Sequence, residues 1–238
     1  MGDYVATNST HTATNQAFEH AVKNGNLPIA WEWVDTARIE PEFERITQTY
    51  HGFLIAPGSP YKSMQGVLKI IEYARVNKVP TLGTCGGFQH MVIEFARNVL
   101  SITDAEHAET NPYASQLVIN PLSCSLKGAP LEIEITDDYS LAALIFKTST
   151  ITENYYCNFG LNPEYQQQLH EAGFKITGSD VHKEARIMEL ENHPFFLATL
   201  FVPQVNSTHE KPHPIIKAFC TVTEQHSKND NDNKISAA

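Results

Sequence analysis

Gly83-Thr84-Cys85-Gly86-Gly87 sets one thiol among glycines, where the apolar run VPTLGT (79–84) gives way to a helical pattern. This is G-x-[Ser/Cys]-x-G, the spacing a nucleophile needs on a tight strand-to-helix turn. Small neighbours permit the turn, and the N-terminus of the following helix favours a thiolate and lowers a thiol's pKa. The N–H of Gly86 can donate to the oxyanion that forms when a carbonyl is attacked. Cys85 is therefore read as a nucleophile for carbonyl chemistry. The competing reading, a small buried cysteine behind a strand, is disfavoured by the glycines on both sides and the helix after them.

Such a thiol requires a base, a buried cation or a helix dipole to ionise at neutral pH. His90 lies five residues beyond Cys85, more than one helical turn on, which suits packing on the sheet or at an interface. His107, in AEHAET, is flanked by Glu106 and Glu109, which could orient it or hold it charged as a proton shuttle; the plainer alternative is a solvated loop histidine. Cys157, in NYYCNFG, is a candidate second thiol that would resolve Cys85 in a redox or sulfur-transfer pair, or else a structural cysteine. Cys124 and Cys220 read as packing residues. No two of the four cysteines are spaced as CxxC, which excludes a zinc ribbon or a thioredoxin motif. No metal or cofactor is expected.

The elements that must position these groups follow from periodicity. LPIAWEWV (27–34), GFLIAP (52–57) and VPTLGT read as short buried strands. EPEFERITQTY and YKSMQGVLKIIEYARVNK between them have helical spacing, with Met64, Val67, Leu68, Ile71 and Ala74 on one face, and a further helix runs from about Phe88 to Val99. The β-α-β-α-β order implies a parallel sheet with helices on both faces. In the second half, SQLVINPL, LEIEITDD, LIFKTST and ITENYYCNF suggest antiparallel or edge strands, PEYQQQLHEAG a short helix with a Gly cap, FKITGS, ARIMEL and PFFLATLFV strands, and HPIIKAFCTVTEQ a closing helix. One domain over residues 1–225 is expected, followed by a polar, disordered tail over 226–238.

Lys and Arg number 17 against 27 Asp and Glu, a formal net charge of −10, which argues against nucleic acid or an anionic membrane as partner. No apolar run reaches the roughly 20 residues of a membrane helix. Free thiols suit a reducing compartment, so a cytoplasmic protein acting on a small molecule is expected, with a homo-oligomer left open.

GTCGGFQHMVIEFARNVL resembles the elbow of the glutaminase domain of CTP synthase, a class I glutamine amidotransferase. GDYV (2–5) is similar to the start of that domain, PGSPY (57–61) to its oxyanion strand, and ENHPFFLATLFVPQ (191–204) to the segment carrying its catalytic His and Glu. Within this resemblance the chain is similar to the group of CTP synthase C-terminal region-related (seleno)proteins, through PGSPY, GTCGGFQH, DAEHAET, SCSL, YYCNFGLNP and ATLF. The resemblance implies a three-layer α/β/α sandwich of the flavodoxin-like, class I amidotransferase kind with a mostly parallel central sheet. It also implies Gly58 in the oxyanion site beside Gly86, with Ser59 and Tyr61 lining a pocket, Gln89 facing substrate and Glu109 holding its amino group. The family's F-H-P-E stands here as Phe201-Val202-Pro203-Gln204, so neither Val202 nor Gln204 can play its general base or orienting acid. The expected function is a stand-alone, Cys85-dependent amidohydrolase-type enzyme on a small amide- or amine-bearing metabolite, with a non-standard triad. A thiol-redox or sulfur-handling protein using Cys85 and Cys157, and a catalytically dead ligand-binding homologue, remain as alternatives.

Overall fold

The computed structural model describes residues 1–122, 128 and 130–236. Its helices are α1 (Ser9–Gly25), α2 (Phe43–Thr49), α3 (Met64–Val76), α4 (Gly86–Asn98), α5 (Leu141–Phe146), α6 (Gln166–Glu171) and α7 (Pro214–Ser236). Its strands are β1 (Phe53–Ile55), β2 (Thr81–Thr84), β3 (Ala105–His107), β4 (Gln116–Pro121), β5 (Pro130–Ile135), β6 (Thr150–Asn154), β7 (Phe159–Leu161), β8 (Phe174–Ser179), β9 (Ala185–Leu190) and β10 (Phe196–Thr199). Seven strands form the central sheet in the order β1-β2-β10-β9-β8-β5-β6, and β3-β4-β7 form a second, smaller one. Helices α3 and α4 pack together over β2 and β10, and α1, α5 and α7 form a separate group. This is a three-layer α/β/α sandwich.

The central sheet is mixed, and parallel pairing is confined to β1-β2-β10, while β9, β8, β5 and β6 pair antiparallel. That narrows the expected mostly parallel sheet. The crossover helix α3 joins the parallel pair β1 and β2, whereas the short β8–β9 and β9–β10 connections fold those strands back on each other.

Three expectations on elements are corrected. Residues 27–34 are extended, with Leu27, Ile29, Trp31 and Trp33 turned toward the core, but they carry no ladder: Gly2 donates to Val34 O at 3.0 Å, and Met1–Gly2 separate the run from β1. The start of LIFKTST is helical as α5, because Ser140 Oγ accepts from Ala143 N–H at 3.0 Å and the Glu189 carboxylate accepts from Leu141 and Ala142 N–H at 2.6 and 3.1 Å. Those acceptors satisfy the orphan donors of a helix start. The stretch from His226 also continues α7, with Lys228 paired to Glu224 and His51 Nε2 lying 3.8 Å from Asp230 Oδ2. Cys124 lies outside the described residues, and Cys220 is buried in α7, as expected of a packing residue.

The core nearest the site is built on α4, in which the eleven residues from Gly86 to Ala96 are all buried. Buried Glu94 takes a bidentate bond from Arg75 on α3, at 2.7 and 2.9 Å, so its charge is paired where burial would otherwise penalise it.

Candidate active site

Cys85 sits at the N-cap of α4 with φ 52° and ψ −105°, outside the regions side chains favour. Its N–H donates to Thr199 O at 2.9 Å, tying the turn to β10. A Cβ on Gly87 would fall 2.2 Å from Ile55 O, and one on Gly83 2.3 Å from Met91 Sδ, so both glycines of the motif are set by close approach. The strained backbone aims Cys85, 8% exposed, at a cavity of about 370 Å³.

Cys85, Gly58, Ser59, Gln89, Glu109 and Cys157 share that cavity. Ser59 Oγ donates to Glu109 Oε2 at 3.1 Å, so the carboxylate is held at the wall. Gln89 is more constrained than a free substrate contact: Nε2 donates to Phe159 O at 2.9 Å, and Oε1 accepts from His107 Nε2 at 3.1 Å. Tyr61 does not reach the cavity. Its hydroxyl bonds Ala56 O and its ring lies 4.6 Å from that of His90.

Neither histidine near Cys85 is placed as a base. His107 is 1% exposed rather than solvated, its Nδ1 accepts from Glu109 N–H at 3.0 Å, and Nε2 is spent on Gln89. Burial pushes its pKa down to about 3, so neither flanking carboxylate holds it charged. His90 Nδ1 donates to Gly86 O at 2.8 Å, and burial lowers its pKa to about 4. Among the described residues that line the cavity, none is His, Lys or Arg.

Cys157 lines the same cavity as Cys85, and its Sγ donates to Leu200 O at 3.4 Å. Interaction with the Cys85 thiol and, more weakly, the Arg186 guanidinium hold Cys157 below the usual thiol range. The neighbouring Cys157, with burial, pushes Cys85 well up.

Two parts of the site escaped the sequence reading. The first turn of α1 supplies one wall through Thr7, Asn8, Ser9 and Thr10, and His11 Nε2 bonds Pro57 O at 2.9 Å, fixing the turn before Gly58, whose φ is 109°. Asn8 ahead of a Ser-Thr pair was a cap signal, and Asn8 Oδ1 accepts from Thr10 N–H at 3.0 Å.

Residues 10–222 match the family described as Glutamine amidotransferase class-I. The chain belongs to that family. CTP synthase of Cytophaga hutchinsonii is 31% identical over 239 residues, covering 96% of this chain and 44% of the relative, and that of Campylobacter jejuni is 28% identical over 92% and 44%. The chain thus spans less than half the length of these relatives. Among solved structures, the glutaminase domain of Trypanosoma brucei CTPS with bound acivicin superposes with a TM-score of 0.87 at 24% identity, over 94% of this chain and 92% of that one. A glutamine amidotransferase from Thermotoga maritima gives 0.52 at 10% identity, over 90% and 91%.

In this amidotransferase-family chain, Val202 is fully buried and its N–H donates to Asn154 O at 3.2 Å. Gln204 is 2% exposed, and its Nε2 donates to Thr84 Oγ1 at 2.9 Å. Neither lines the cavity. No helix of the described residues is long and apolar enough to cross a membrane.

Proposed function

We propose that the protein is a Cys85-dependent amidohydrolase-type enzyme acting on a small amide that carries an amino group, with a non-standard triad in which Val202 and Gln204 stand where the family's base and acid stand. The observation that carries this reading is the placement of the elbow thiol and Glu109 on one cavity. Glu109 would take the substrate's ammonium, since a carboxylate held by Ser59 is a ready acceptor for a cation. The Cys85 sulfur then bonds the amide carbon as the carbonyl electron pair moves onto oxygen, facing the N–H groups of Gly58 and Gly86. Collapse breaks the C–N bond, the nitrogen leaves carrying the proton given up by the Cys85 thiol, and water hydrolyses the thioester to the carboxylic acid and the free thiol. His107 acts as a positioning residue through Gln89 and Glu109 rather than as a proton shuttle.

Ammonia release from glutamine and from other small primary amides tests the reading. The native chain should release ammonia from at least one, and Cys85→Ala from none. Equal release by both would overturn the mechanism. Stabilisation by these amides without turnover would favour a ligand-binding homologue.

A second reading is favoured by one observation, the placement of both thiols on one cavity. In a thiol-redox protein, mild oxidation would join Cys85 to Cys157 with loss of two hydrogens, visible as a mass change abolished by Cys157→Ser.

A further inference from the structure

An oxyanion site needs backbone N–H groups held in one direction before the charge forms. We infer that His11 is a positioning residue for the reaction, which keeps the Gly58 N–H turned to the oxyanion by donating to the Pro57 carbonyl; the inference rests on Cys85 being the nucleophile. His11 Nε2 lies 2.9 Å from Pro57 O, and its Nδ1 accepts from Val5 N–H at 3.0 Å. The second bond leaves the ring proton on Nε2, so the imidazole is a donor to the carbonyl. His11 is 3% exposed, and its ring centroid lies 5.0 Å from that of Trp33, whose Nε1 donates to Asn15 Oδ1 at 2.8 Å. Tautomer and ring position are both fixed.

The Pro57–Gly58 peptide that His11 holds is trans. In a planar trans peptide the carbonyl and the N–H point in opposite directions, so anchoring Pro57 O at His11 turns Gly58 N–H away from that ring. Pro57 is buried and Gly58 exposed, and Gly58 lines the cavity with Cys85. Among the described residues neither Gly58 N–H nor Ser59 N–H has a hydrogen-bond acceptor. The segment also lies against the elbow, since a Cβ on Gly86 would fall 3.0 Å from Ser59 N. Donors left unspent beside a nucleophile are what a developing oxyanion requires.

The backbone alone does not choose this orientation. Gly58 has φ 109°, and a half-turn of the Pro57–Gly58 peptide would bring it to about −70°, a region open to any residue. Glycine can adopt either, and in the second the carbonyl rather than the N–H would face the oxyanion. The half-turn would leave the buried Nε2–H of His11 without its acceptor, which opposes it. A Cβ on Gly58 would also fall 2.8 Å from His11 Nε2, so the ring lies directly against the residue it orients.

Steady-state ammonia release from small primary amides, glutamine among them, tests this with three substitutions. His11→Phe keeps a ring against Trp33, while His11→Met and His11→Gln match each other in length, and of the three only Gln can donate to Pro57 O. The Phe and Met variants should lower kcat about tenfold to a hundredfold and leave KM within about twofold, because the contact at Glu109 is untouched. The Gln variant should recover most of that loss. The role of His11 is overturned by an unchanged kcat in a folded Phe or Met variant, by a fall that Gln shares in full, or by a rise in KM in place of the fall in kcat. Loss of cooperative melting in both apolar variants would also overturn it, leaving His11 a structural residue. No ammonia release by the native chain from any of the amides would instead overturn the Cys85 reading beneath it.

Discussion

At the scale of single residues, both histidines near the elbow are committed to structural hydrogen bonds. Glu109→Gln removes the cavity's anionic acceptor while leaving a side chain of the same size. KM for an amine-bearing amide should rise about tenfold to a hundredfold with the fold intact, because a bond to a charged group contributes about 1.5–3 kcal/mol; steady-state kinetics beside a melting curve would show it. His107→Leu should instead lower stability by about 1–3 kcal/mol, since it takes a hydrogen-bond donor from the buried amide of Gln89. Denaturant unfolding measures that directly. Cys85 and the glycines around it stand out in the sequence because the elbow dictates their types and spacing, whereas Glu109 was reached only through the family resemblance. The role of His107 was not legible, because adjacency to Glu106 and Glu109 suggested an ion pair, while burial and the local bonding selected a neutral ring.

At the scale of elements, the elbow depends on how closely α4 approaches β1. Gly87→Ala would place a methyl against the Ile55 carbonyl and should cost about 3 kcal/mol or more, read as a large fall in melting temperature or loss of soluble protein. Asn8→Ala removes the cap of α1, whose first turn walls the cavity, and should cost about 1 kcal/mol. The strands flanking the elbow and helices α3 and α4 follow from apolar periodicity. The run at 27–34 has strand-like alternation but no ladder, since pairing depends on a neighbour that local sequence does not describe. α5 was misread for a related reason: its start is completed by Glu189, 48 residues further on. α1 was missed because its apolar face, Ala17, Phe18 and Ala21, is narrow within a polar stretch.

At the scale of the whole molecule, the mixed sheet carries Cys85 at the end of β2, with β10 beside it and Cys157 between β6 and β7. Burial leaves both His90 and His107 neutral in the folded chain, with pKa values lowered to about 4 and about 3. Once unfolded, each would take up a proton near pH 6.5, so the unfolded state binds more protons between these limits and stability falls as pH drops. The melting temperature should therefore decline from about pH 6.5 toward about pH 4, with a stability loss on the order of 3 kcal/mol for each histidine. Replacing both with Gln should flatten that limb even where the variant starts from a lower melting temperature.

The central claim is that Cys85 forms a covalent acyl intermediate. Acid quench of the protein during reaction with an amide that it turns over, followed by peptide mass mapping, addresses it most directly. The account predicts an acyl group on the peptide containing Cys85, absent in Cys85→Ala. Turnover of that amide with Cys85 unmodified, at a rate the alanine variant matches, would contradict it.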